Sequence, residues 1–107
     1  MTTMAEEEDF VATLSQSQRA DELLRQADLY LIEKSNKKRI NELICRLDRK
    51  TLDPELDHFL SRVYVLGWLS RVTKKKQREL IAEKLKEAAS IIIQREREES
   101  PPRSDRD

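Results

Sequence analysis

The chain has 107 residues, enough for one small domain, and its 21 basic and 21 acidic side chains give a formal net charge of zero. This balance removes overall charge as an argument for nucleic-acid binding, so any such role has to rest on local clustering. Charged residues make up 39% of the chain and there is one glycine, a composition that favours helices. A single cysteine excludes a disulfide within the chain.

Residues 1–9 are small, polar and acidic, and we expect them to be disordered because they offer little apolar surface to offset the entropy of ordering. Phe10, Val11 and Leu14 then form an apolar cluster at helical spacing, which we expect to fold back onto the domain. An acidic start is unlike a secretory signal, and the apolar runs fall far short of the ~20 residues that span a membrane. We therefore expect a soluble protein of the cytoplasm or nucleus, with no membrane partner.

Two amphipathic helices are predicted next. Ser15 and Gln18 have the spacing of a capping box at the start of the first helix. Its apolar residues recur along one face: Ala20, Leu23, Leu24, Ala27, Tyr30 and Leu31. Ser35-Asn36 can cap the second helix, whose apolar face is Ile40, Leu43, Ile44 and Leu47. The short break between them, of about two to four residues, favours an antiparallel hairpin.

The most apolar stretch is 54–72, which contains the only Trp, the only Gly and the only His of the chain. Asp53 and Pro54 mark its start as an N-cap and a first-turn proline. We predict one central helix on which the others pack, amphipathic in its first half and apolar nearly all round in its second. Gly67 would let another helix approach closely or, alternatively, would permit a kink.

A last helix is predicted from a cap at Thr73 to about Glu99. Its apolar face is Ile81, Leu85, Ala88, Ala89 and Ile92. Two prolines after Ser100 end the helix, and we expect 100–107 to be a disordered tail. The predicted fold class is therefore all-α: a small up-down bundle of three to four helices over residues 10–99, with disordered termini.

Signals for catalysis and for metal binding are weak. One glycine excludes a glycine-rich phosphate loop. Cys45 and His58 are the only soft metal ligands, fewer than the about four that a zinc site needs. They could form a nucleophile pair, but Cys45 lies off the apolar face of its helix and no motif marks a third member. We expect no catalytic residue, no metal and no cofactor.

The second half of 54–72 carries the stronger functional indication, an extra apolar face made of Val65, Trp68, Leu69 and Val72. Because a bundle helix buries a stripe of roughly 100° or somewhat more, this second face either lies inside the monomer or meets a partner. Tryptophan is enriched at interface hot spots. We therefore expect a non-catalytic protein–protein interaction module, either self-associating or acting as a small subunit or adaptor of a larger complex.

The alternative is a small nucleic-acid-binding regulatory protein. Basic residues cluster at two predicted helix junctions: Lys34, Lys37, Lys38 and Arg39 at the first, and Arg71, Lys74, Lys75, Lys76 and Arg78 at the second. In an up-down bundle both junctions can lie at one end, where they would merge into a positive cap suited to phosphate contacts. Against this hypothesis, no groove-reading motif is visible and aromatic residues do not interleave the basic ones.

Overall fold

The computed structural model describes residues 10–65 and 67–99, and within this range there are helices, turns and loops but no strand. After a helical turn at 10–12, the elements are α1 (Gln16–Leu31), α2 (Lys37–Arg46), a 3-10 turn (Arg49–Thr51), α3 (Pro54–Tyr64), α4 (Gly67–Arg71) and α5 (Lys75–Glu99). The predicted all-α class is confirmed. The disorder expected for 1–9 and 100–107 concerns residues outside the described range.

Three of the four predicted helix caps are present. The Ser15 hydroxyl accepts a hydrogen bond from the Gln18 backbone N–H at 3.2 Å, and the Gln18 side chain accepts one from the Ser15 N–H at 2.8 Å. Asn36 accepts a hydrogen bond from the Arg39 N–H at 3.1 Å at the start of α2. Asp53 does the same for the first turn of α3, at 2.8 Å. Short polar side chains thus satisfy N–H groups that a helix start leaves without partners.

The start of α5 differs from the prediction. This helix begins at Lys75, and the carbonyl of Lys74 accepts its first helical hydrogen bond, from the Arg78 N–H at 3.0 Å. Lys74 therefore occupies the cap position, and Thr73 lies one residue before it. The Thr73 carbonyl instead accepts a hydrogen bond from the Arg78 guanidinium.

The largest interface of the fold joins α1 to α5. The helices run antiparallel, because Glu33, just after α1, pairs with Arg78 near the start of α5, whereas Asp28 pairs with Lys86 further along. The buried residues of the two helices include several alanines: Ala20, Ala27, Ala82, Ala88 and Ala89. Small side chains let helix axes approach closely, and α1 and α5 form the helix pair on which the other helices pack.

The other predicted apolar faces complete the core. Ile40, Leu43 and Ile44 of α2 are fully buried, and α2 packs against both α1 and α3. The turn at 10–12 folds back as expected, with Val11 fully buried. Arg19 fastens this turn to the hairpin, since its guanidinium donates to the carbonyl of Val11 at 3.1 Å and to the carbonyl at the end of α2 at 3.0 Å.

The segment predicted as one central helix is neither continuous nor central. α3 ends at Tyr64 and α4 begins at Gly67. Val65 caps α3 with a ψ of 37°, so the helical repeat is lost there. α3 packs chiefly on α2 and α4 is little more than one turn, whereas the α1–α5 pair organises the domain. Within the described residues, no helix is both long and apolar enough to cross a membrane.

Gly67 does not serve a close approach between helices, contrary to the prediction. A Cβ at this position would meet nothing within 4 Å beyond its own turn, and the φ of Gly67 is not positive. Neither packing nor backbone conformation therefore requires glycine here. The alternative of a kink is nearer to the structure, since α3 ends at Tyr64 and a separate helix, α4, begins at Gly67.

The substitution Gly67→Ala is expected to raise the free energy of unfolding by ~0.5–1 kcal/mol, because alanine fits the site and loses less backbone entropy on folding. Urea unfolding of the wild-type and variant chains measures this difference. A loss of stability would show that the interruption before α4 depends on glycine.

Candidate functional site

A groove of about 600 Å³ lies beside α4, between the end of α3 and the first turns of α5. Its apolar lining residues are Val65, Trp68, Val72, Leu80 and Ile81, and its polar ones include Arg62, Arg71 and Gln77. The groove is built where three elements meet, since Val65 directly follows α3, Trp68 belongs to α4, and Leu80 and Ile81 belong to α5. The groove is larger than two other cavities of the described residues, which measure about 530 and 210 Å³.

The predicted partner-binding residues fall on and beneath this groove. Val65 is 67% exposed, whereas Trp68 and Val72 are half-buried and pack against the core. Leu69 is fully buried, so its side chain supports the groove from inside and is not presented to a partner. Leu80, which is 51% exposed, completes the groove and was not predicted, because it belongs to a different helix.

The Trp68 ring is held by two aromatic interactions. The edge of one ring faces the other in the pair with Phe59, with centroids 6.5 Å apart and planes at 76°. The Arg62 guanidinium lies over the Trp68 ring, 4.6 Å from its centroid. The indole N–H is buried and has no hydrogen-bond partner among the described residues. The ring is therefore fixed in position while its groove-lining side remains available.

The two basic clusters lie at the same end of the domain, as the alternative hypothesis required. Glu33 from the first junction pairs with Arg78 from the second, with 3.2 Å between the carboxylate oxygen and the guanidinium nitrogen. Residues of both junctions, Lys37 and Arg78 among them, line one cavity of about 210 Å³. We call this region the basic end.

The cations of the basic end divide into engaged and exposed groups. Arg39 pairs with Glu22 at 3.5 Å and lies 4.1 Å over the Phe10 ring, and Arg78 pairs with Glu33. The remaining residues of the two clusters are exposed and form no ion pair with any side chain in 10–65 and 67–99: Lys34, Lys37, Lys38, Arg71, Lys74, Lys75 and Lys76.

Glu33 has an unusual backbone conformation, with a φ of 61°. It follows the C-cap of α1, and the N–H groups of Glu33 and Lys34 donate to the carbonyls of Tyr30 and Leu29 at 3.1 and 2.9 Å. This is a Schellman ending, in which glycine is the usual left-handed residue. A glutamate there costs roughly 1 kcal/mol or somewhat more, and the sequence gives no glycine to reveal the turn.

Tyr30 is buried next to the basic end, with 2% of its surface exposed, and its hydroxyl has no hydrogen-bond partner in the described part of the chain. Burial raises the pKa of the Tyr30 phenol above its ordinary value of 10.0, and the nearby positive charge of Arg78 partly opposes this shift. At neutral pH the phenol is therefore protonated and is a hydrogen-bond donor without an acceptor.

Cys45 and His58, the two candidate soft ligands, are both exposed. They lie on different helices, α2 and α3. No cluster of three or more His, Cys, Asp or Glu side chains suited to a metal ion occurs in 10–65 and 67–99.

Comparison with protein families, with curated proteins and with solved structures finds no match to this chain.

The substitution Tyr30→Phe is expected to reduce the loss of stability at alkaline pH. Because the folded-state pKa of Tyr30 lies above 10.0, its contribution is complete below about pH 10 and is lost as the pH rises through the folded pKa. At neutral pH the variant should be as stable as the wild type or up to ~1 kcal/mol more stable, since a buried hydroxyl without a partner is removed.

Urea unfolding of both chains from about pH 8 to about pH 11 measures this effect. Tyr64→Phe is the matched control, because Tyr64 is 44% exposed. An alkaline loss of stability that is the same in Tyr30→Phe as in the wild type would contradict the prediction.

Proposed function

We propose that this chain is a non-catalytic α-helical interaction module that binds a partner protein through the groove around Trp68. The observation that carries the proposal is an apolar groove in which Val65 and Leu80 remain 67% and 51% exposed. Isolated exposed apolar residues are common on folded proteins, but a contiguous concave patch is typical of a binding surface. Trp68 is the anchor of this surface, since buried aromatic residues dominate interface energetics.

The proposed occupant is an amphipathic helix of the partner that carries acidic residues along its flanks. An apolar groove accepts the apolar face of a helix, with residues spaced at i, i+3 or i+4, and i+7. Arg62 and Arg71 line the groove, and neither forms an ion pair within 10–65 and 67–99. Lys74 to Lys76 add positive charge beside it. Carboxylates on the partner would meet these cations and set the direction of docking.

In this proposal the chain acts as an adaptor or a small subunit of a larger complex. We place it in the cytoplasm or nucleus, the reducing compartments that the lone cysteine favours. The bound partner helix would then cover the apolar surface that α4 and α5 leave exposed. Residues deep in the core, such as Leu69, hold the groove in shape without touching the partner.

A library of helical peptides selected against the purified full-length chain tests the proposal. Val65→Asp and Leu80→Asp each place a carboxylate in the groove, and both side chains are more than half exposed, so the core is left intact. Selected peptides should combine apolar helical spacing with acidic residues, and should bind each variant about tenfold more weakly or worse. Ile32→Asp is the matched control, since Ile32 is 59% exposed and lies outside the groove.

Two outcomes would contradict this proposal. Peptides that bind both groove variants as well as they bind the wild type would show that another surface is used. Concentration-dependent sedimentation that Leu80→Asp abolishes would assign the groove to a second copy of the chain, which is the self-association alternative.

Nucleic-acid binding is the second candidate function, and the observation that favours it is the convergence of both basic clusters at one end. Seven cations there are exposed and form no ion pair within the described range: Lys34, Lys37, Lys38, Arg71, Lys74, Lys75 and Lys76. Cations that contact phosphates release counterions from nucleic acid, so such binding is strongest at low salt. No base-reading arrangement accompanies these residues, and the candidate is binding without sequence preference.

If this second candidate holds, changing Lys74, Lys75 and Lys76 together to glutamate should abolish salt-sensitive binding of single-stranded and duplex oligonucleotides. The matched control reverses three exposed charges elsewhere, at Lys50, Arg95 and Arg97. Fluorescence anisotropy over a range of salt concentrations measures the difference. Absence of binding by the wild-type chain at low salt, or an equal loss in the control, would remove this candidate.

A further inference from the structure

We infer that the cavity of about 210 Å³ at the basic end is a binding site for the phosphate group of a small phosphate monoester. Its walls come from three regions: the end of α1, the start of α2, and the segment from α4 into α5. Tyr30, Lys37 and Arg78, whose side chains carry donor groups, each line the cavity from one of these regions. The site is separate from the groove around Trp68, and the inference does not rest on the function proposed for that groove.

Two buried donors of this cavity have no acceptor. The Tyr30 hydroxyl and the Arg78 Nε are both buried, and neither makes a hydrogen bond within the part of the chain that the structure describes. Buried donors in folded proteins are nearly always paired, so two orphaned donors on side chains of one cavity need an explanation. Tyr30 and Arg78 both line this cavity, so the two groups lie near each other. A ligand with several acceptor oxygens would satisfy both once these side chains turn toward it, since the two donor atoms are closed to solvent in the structure.

The size and charge of the cavity favour phosphate over water alone. A volume of about 210 Å³ is several times the ~30 Å³ that one water occupies, and it therefore has room for a phosphate group. Lys37 and Arg78 supply positive charge, and the hydroxyls of Ser35 and Thr73 also belong to the lining. Donors that approach from several sides match a tetrahedral dianion, whose oxygens accept hydrogen bonds in several directions.

The Glu33 carboxylate pairs with the Arg78 guanidinium at 3.2 Å, so a bound phosphate would compete with Glu33 for Arg78. The Glu33 side chain is 69% exposed. An exposed ion pair contributes little stability, so the carboxylate can move into water when a stronger anion arrives. Glu33 thus holds the Arg78 guanidinium in position in the free protein, and a dianionic phosphate replaces a single carboxylate charge. The left-handed backbone of Glu33 is what brings its carboxylate to this place.

Titration of the full-length chain with methyl phosphate, followed by amide NMR shifts at constant ionic strength, tests the inference. Lys37→Gln and Lys38→Gln are matched variants, since both residues are exposed, adjacent and equally charged, but only Lys37 lines the cavity. Lys37→Gln should weaken binding about fivefold, and Lys38→Gln should leave it unchanged. Equal losses in the two variants would reduce the effect to general attraction and overturn the inference.

Two further variants probe the floor of the cavity. Tyr30→Phe should weaken methyl phosphate binding about tenfold while the chain remains folded, because the lost hydroxyl has no partner in the described residues. Glu33→Gln should strengthen binding about threefold, since it removes the competing charge. Unchanged affinity in Tyr30→Phe would contradict the assigned role of the hydroxyl and with it the inference.

Dimethyl phosphate distinguishes a monoester from the diester backbone of nucleic acid. Dimethyl phosphate carries a single negative charge, and two of its oxygens are esterified where methyl phosphate has one. It should therefore bind at least about tenfold more weakly than methyl phosphate. Equal affinity would overturn the assignment to monoesters. If neither ligand shows saturable binding, the orphaned donors are satisfied by water and the inference fails, whereas the peptide-binding test of the groove is unaffected.

Discussion

The packing of α1 against α5 is the interaction on which the rest of the structure depends. Small buried side chains on both helices, including Ala27 and Ala88, let the two axes approach, and the remaining helices pack around this pair. The antiparallel arrangement brings the end of α1 beside the start of α5, and it thereby creates the basic end. It also leaves the first turns of α5 uncovered next to α4. Leu80 and Ile81 then form one wall of the groove.

Local rules predicted much of this fold. The 3.6-residue spacing of apolar side chains identified the buried faces, and short polar residues at Ser15, Asn36 and Asp53 marked three helix starts. The interruption between α3 and α4 escaped prediction because the apolar residues continue across it, and Gly67 alone does not decide between a break and a close approach. Glu33 escaped for a similar reason, since a left-handed glutamate has no distinctive sequence signal.

The candidate sites were predictable in part. The helical spacing of one continuous helix predicted Val65, Trp68 and Val72 as one apolar face. All three line the groove, although the helix is divided into α3 and α4. The same phase placed Leu69 beside them, whereas the true orientation of α4 turns that side chain into the core. Long-range packing also determines features that the spacing of apolar residues cannot reveal. One is the Tyr30 hydroxyl without a partner, since the sequence identifies Tyr30 only as part of an apolar face.

Val72 lines both the groove around Trp68 and the small cavity at the basic end. A single side chain is therefore the common wall of two neighbouring spaces that differ in chemistry, one apolar and one rich in donors. A ligand that displaces Val72 in either space changes the shape of the other. The thermodynamics of linked equilibria then require the same coupling free energy in both directions. Any coupling of this kind would act through the position of Val72, since no other described residue lines both spaces.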